Sequence, residues 1–112
     1  MACSELVSLR IRDALGVANI TEKRMMGGLV FLLNGNMLVS HRTLKTGEEQ
    51  LMFRPGHDNE AEALAIAGTR PMVHGGRRMT GFIFIDEAEC PPPVFDRLLG
   101  LSRRFVETLP AK

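Results

Sequence analysis

Apolar and polar positions form their sharpest pattern between Arg24 and Ser40, where two apolar runs flank Asn34-Gly35. That pair takes positive φ at low cost and suits the tight turn whose twist matches paired strands, so a β-hairpin is predicted. With Asn34 and Gly35 as the turn residues, Leu32 faces Met37 and Val30 faces Val39 on one side. On the other, Phe31 faces Leu38 and Leu29 faces Ser40. Both sides are apolar, which calls for helices over one face and a further partner, such as a second subunit, over part of the other.

Helical spacing appears first at Ser4 to Leu15. Val7, Ile11, Ala14 and Leu15 repeat along one stripe that Leu6 widens, Ser4 is placed to cap, and Gly16 supplies a stop. Val17 to Thr21 leads into the sheet. Gly27-Gly28 interrupts the first strand of the hairpin; the favoured reading is a bulge or a close backbone approach, and the phosphate-loop alternative lacks the rest of its motif. A polar loop, Arg42 to Glu49, precedes a third strand at Gln50 to Arg54, which Pro55-Gly56 closes.

Asp58 to Ala67 is rich in helix formers and ends at Gly68. Two more strands, Arg70 to His74 and Arg77 to Ile85, are joined by Gly75-Gly76 as a second hairpin. Pro91-Pro92-Pro93 suits the start of a last helix reaching about Leu109, with Val94, Leu98, Leu101, Phe105 and Leu109 on its apolar face and Phe95, Leu99 and Val106 beside them. The order is α-β-β-β-α-β-β-α, an α+β domain with helices on one antiparallel sheet, as a two-layer α/β sandwich.

Composition changes this picture little. The 112 residues suit a single domain, spanning 1–112, and a formal net charge of +1 gives no bulk attraction to nucleic acid or anionic membrane. No run is apolar for the length of a membrane span, and Met-Ala-Cys-Ser-Glu lacks the basic and apolar regions of a signal peptide, so a cytoplasmic location and no membrane partner are expected. Cys3 and Cys90 have no companion at metal or redox spacing and are read as reduced thiols.

Candidate chemistry is sparse. His41, His57 and His74 fall in or beside turns or strand ends with no ligand at helical metal spacing, and are read as surface or turn histidines. No catalytic residue, metal or cofactor is assigned, although tertiary contacts can assemble groups that spacing does not show. Arg24, Arg54, Arg70, Arg77 and Arg78 fall near strand ends, where convergence beside the glycine pairs would contact an anion or a nucleic-acid backbone. Solvation of sheet ends is the favoured alternative. The phenylalanines are assigned mostly to the core and there is no Tyr or Trp, so a single-strand stacking platform is not expected.

Arg24-Met25-Met26-Gly27-Gly28-Leu29, Asn34-Gly35-Asn36-Met37, Leu51-Met52-Phe53-Arg54, Arg70-Pro71-Met72 and Met79-Thr80-Gly81-Phe82 together resemble the N-terminal domain of the TfoX/Sxy family, bacterial regulators of natural competence. The likeness runs from the first helix to the last, with Met26 where the family often has Phe. It implies a five-stranded antiparallel sheet in a fold like that of type III secretion chaperones. Met25, Gly27, Gly28, Asn34, Gly35 and Gly81 are the structural residues of its motifs. It also implies a regulatory role without supplying catalytic residues; full-length relatives carry a second, helical domain that this chain is too short to contain. The expectation is a non-enzymatic regulatory or protein-interaction module, acting as a homodimer or with a regulatory protein partner. Direct nucleic-acid binding through the arginines, and a small-molecule binder or enzyme at a glycine-flanked cleft, are the alternatives.

Overall fold

Helix α1 (Glu5–Leu15) buries Val7, Ile11 and Leu15 at helical spacing and ends at Gly16, whose φ of +72° a side chain would resist. Residues 4–25 and 27–112 are described in this computed structural model, so Cys3 and Met26 lie outside the described residues. Ser8 is buried with the apolar stripe, whereas Leu6 is 79% exposed and Ala14 is exposed too. The core stripe of α1 is therefore narrower than its sequence implies. Ser4 makes no side-chain cap; its carbonyl accepts from both the amide and the hydroxyl of Ser8.

Among the described residues six strands follow rather than five: β1 (Ile20–Met25), β2 (Gly28–Leu33), β3 (Asn36–Thr43), β4 (Glu49–Phe53), β5 (Thr69–His74) and β6 (Arg77–Asp86). All neighbours are antiparallel, in the order β1-β2-β3-β4-β6-β5. The additional strand is β1, and Gly27-Gly28 closes a turn between it and β2, with Met25 paired to Gly28. The sequence Ile-Thr-Glu-Lys-Arg-Met has little apolar alternation because β1 is an edge strand, exposed over most of its length. Arg12 of α1 grips Glu22 of β1 through Nε and Nη2, at 2.7 and 2.8 Å, and holds that carboxyl below its usual range.

Asn34 and Gly35 sit at φ +53° and +83° between the paired Leu33 and Asn36, as the turn chemistry requires. The register beyond that turn differs from simple alternation. Leu32 pairs with Met37, but Phe31 then pairs with Val39, Val30 with Ser40 and Leu29 with His41, because Leu38 is an extra residue in β3. Leu38 and Val39 both enter the core, and every later residue of β3 changes face.

After a short 3₁₀ turn, α2 (Glu60–Leu64) is only five residues long, and α3 (Pro92–Val106) runs from the proline cluster to a final turn before Pro110. Its Phe95, Leu98, Leu99, Leu101 and Val106 are buried, with Val94, Phe105 and Leu109 packed partly against them. All three helices pack on one face of the sheet. There they form a single core with Leu29, Phe31, Leu33, Leu51, Phe53, Ile83 and Ile85. Among the described residues no helix is long and apolar enough to cross a membrane.

Candidate interaction face and a buried histidine

Strand alternation sends every second residue to the side of the sheet opposite the helices. One row across that side reads Lys23, Val30, Ser40, Met52, Phe84 and Arg70; the next brings in Met25, Gly28, Arg42, Gln50 and Asp86. Val30 is 0% exposed, and Met52 and Met72 2%, although among the described residues no helix lies over them. Phe82 and Phe84 are half-buried on β6. The centre of this face is therefore closed by its own side chains, and the apolar surface it still presents to solvent is that of half-buried Phe82 and Phe84.

Cations rim this centre. The Arg42 guanidinium lies 5.6 Å from the Phe84 ring centroid, and its Nε donates to Gln50 Oε1 at 3.0 Å. Arg70 pairs with Asp86 at 2.9 Å, while Lys23 is exposed. Between Met25, Arg42, Met52, Met72 and Phe84 there is a cavity of only about 20 Å³. That space suits about one water molecule.

The five arginines singled out in the sequence do not converge. Arg70 lies on the open face. Arg54, at the end of β4, stacks against Phe82 and Phe105, and Arg24 occupies the exposed edge strand in the row of Leu29, which is the helix side. Arg77 and Arg78 are at the β5–β6 hairpin tip, where Gly75-Gly76 forms the turn, and Arg78 is engaged by Glu60 at 2.8 Å. Met25 lines the small cavity. Gly28 is pressed against β3 so closely that an added Cβ would lie 2.1 Å from the His41 carbonyl oxygen. Gly81, at φ +88°, sits in an irregular stretch of β6 against Gly56. These glycines and Asn34-Gly35 act on the backbone.

His41 is the correction among the histidines: it is 0% exposed and lies within β3, while His57 and His74 are exposed. The extra residue at Leu38 turns it toward α1, where its Nε2 is 2.8 Å from Ser8 Oγ. Its Nδ1 is 3.5 Å from Glu49 Oε1, and Thr43 donates to the other oxygen of Glu49. Burial lowers the histidine pKa and the Glu49 contact only partly offsets this, so the ring is neutral at pH 7. A Ser-His-Glu order resembles a hydrolytic triad, but Ser8 is 2% exposed, in the second turn of a helix, with its hydroxyl also on the Ser4 carbonyl. The group joins α1 to the sheet. No signal in the sequence links Ser8 to His41, which are separated by 33 positions.

Among the described residues, no three His, Cys, Asp or Glu side chains are arranged to hold a metal ion. Comparison with protein-family models, with curated proteins and with solved structures finds no match to this chain.

Proposed function

We propose that the chain is a non-enzymatic regulatory or protein-interaction module, akin to the N-terminal domain of the TfoX/Sxy regulators and to the secretion-chaperone-like fold of that family. The observation that carries this reading is the sheet face that no helix covers among the described residues, with half-buried Phe84 at its centre and Lys23, Arg42 and Arg70 around it. An apolar centre inside a charged rim is the anatomy of a protein-binding patch. The cationic rim favours a partner surface with acidic groups. A homodimer belongs to the same proposal, and the exposed Leu6 and Leu9 of α1 give it an apolar surface.

The test combines light scattering after size exclusion with recovery of partners from cell extract, on the intact chain and on Arg42→Glu and Leu9→Asp. Loss of the partner with Arg42→Glu and loss of the dimer with Leu9→Asp are expected. A strict monomer at high concentration that recovers no partner refutes the reading.

A second reading, direct nucleic-acid binding, draws on the same face because half-buried Phe82 and Phe84 lie beside Arg42 and Arg54. It predicts binding that weakens steeply with salt and with Arg42→Ala, and less with Arg77→Ala or Arg78→Ala. Absence of binding to single- or double-stranded DNA or RNA at low salt eliminates it.

A further inference from the structure

Arg54, like Arg42 and Arg103, reaches no carboxylate among the described residues, but those two make closer hydrogen bonds, to Gln50 Oε1 at 3.0 Å and to the Leu15 carbonyl at 2.9 Å. Arg10, Arg12, Arg70, Arg78 and Arg97 each reach a carboxylate. The half-buried Arg54 reaches none; its Nη1 makes one long hydrogen bond, 3.4 Å, to the Met37 carbonyl. The guanidinium carbon lies 5.1 Å from the Phe82 centroid and 5.5 Å from that of Phe105, so aromatic faces take the place of a counter-ion. Desolvation lowers its pKa, as expected for a cation held out of water without an acid. Its Nε and Nη2 have no hydrogen-bond acceptor among the described residues.

This guanidinium borders a cavity of about 280 Å³ with Gly56, His57, Thr80, Gly81, Phe82 and Phe105. The size is near the lower end for small-ligand sites. One wall is fixed: a Cβ on Gly56 would lie 2.4 Å from the Phe105 ring, so the ring is seated on the backbone. The nearby carboxylate of Glu60 is already committed, accepting from the Gly81 amide at 2.6 Å and from Arg78 at 2.8 Å. The Gly56 amide is spent on the Gly81 carbonyl. What is left for a ligand is one planar guanidinium fork, the Thr80 hydroxyl, the His57 imidazole, and aromatic walls.

We infer that this cleft binds a carboxylate carried on an apolar body, with Arg54 as the anchor and Phe82 and Phe105 as the walls. A planar carboxylate matches the fork in two parallel hydrogen bonds, and the Phe82 and Phe105 walls favour an organic body over a bare inorganic phosphate. The site is independent of docking on the centre of the sheet face. The carboxylate could come from a free organic acid or from the C-terminus of a peptide.

The test is an NMR titration of the ¹⁵N-labelled intact chain with benzoate, benzamide, inorganic phosphate, and an N-blocked Gly-Leu-Phe peptide with a free or an amidated C-terminus. Saturable shifts at the Gly56, Thr80, Gly81 and Phe82 amides are expected from at least one of the two carboxylates, and none from benzamide or the amidated peptide. The stronger of benzoate and free-acid peptide identifies the source. Arg54→Met, which keeps a stem against the rings, should weaken binding about tenfold or more, and Arg54→Lys should weaken it less. If Arg54→Met does not fold, Arg54→Lys and Thr80→Val carry the comparison. Equal response to benzamide, phosphate binding tighter than benzoate, no saturable shift from either carboxylate, or unchanged affinity in the folded Arg54 variants would overturn the inference.

Discussion

Substituting alanine separately at Gly27 and Gly28 distinguishes a turn requirement from a packing requirement at adjacent positions. Gly27 has φ +75° and nothing within 4 Å of an added Cβ, so Gly27→Ala carries only the left-handed penalty, roughly 1–2 kcal/mol. At Gly28 the backbone φ is ordinary, yet the Cβ would lie 2.1 Å from the His41 carbonyl oxygen and 2.7 Å from Arg42 Cβ. A comfortable carbon–oxygen approach is about 3.3 Å, so β2 and β3 must part locally by roughly 1 Å. Both nearest atoms belong to or sit on the β3 backbone, and no side-chain rotation relieves the clash. Overpacking costs about 1–3 kcal/mol and each weakened ladder hydrogen bond about 1 kcal/mol, which gives about 3 kcal/mol for Gly28→Ala. Urea denaturation should therefore show a larger fall in midpoint for Gly28→Ala than for Gly27→Ala, at unchanged m value. If Gly28→Ala is no more destabilising than Gly27→Ala, the close approach of β3 is wrong.

Three further outcomes follow from buried groups. Because the folded pKa of His41 lies below its ordinary 6.5, its contribution to stability is complete above that value and falls as pH drops toward the folded pKa. Denaturation between pH 7 and 5 should lose up to about 1.4 kcal/mol per pH unit from this group, and His41→Gln should flatten that slope; an unchanged slope refutes the assignment. Ser102 Oγ is buried in α3 with no hydrogen-bond partner among the described residues, so Ser102→Ala should be neutral or stabilising by about 1 kcal/mol, and a clear fall in melting temperature argues against it. The Cys90 thiol is 1% exposed and pushed up to about 11, chiefly by burial. Iodoacetamide at pH 8 should modify it in urea and leave it intact in the native protein, as read by peptide mass spectrometry; rapid native labelling contradicts the packing.

Local chemistry made several elements legible in advance. Asn34-Gly35 and Gly75-Gly76 each carry positive φ between paired strands, Gly16 ends α1, and the prolines before Val94 open α3. In each case a few adjacent residues decide the backbone, so the signal survives without knowledge of the fold. Strand β1 escaped because an edge strand does not need alternating apolar residues. The narrow buried stripe of α1, with Leu6 outside it and Ser8 inside, depended on what the helix met across the core.

The candidate sites needed the assembled chain. One extra residue, Leu38, decides that Ser40 faces the open side and His41 faces α1, and nothing local marks it, because Met37, Leu38 and Val39 are all apolar. Arg54 acquires its distinctive environment from Phe82 and Phe105, which belong to a distant strand and to the last helix. Turns and helix ends are determined by φ and hydrogen bonding among neighbours, so the sequence by itself specified them. Strand register, burial of a histidine and the absence of a counter-ion depend on which remote groups close packing brings together, and those only the tertiary structure decided.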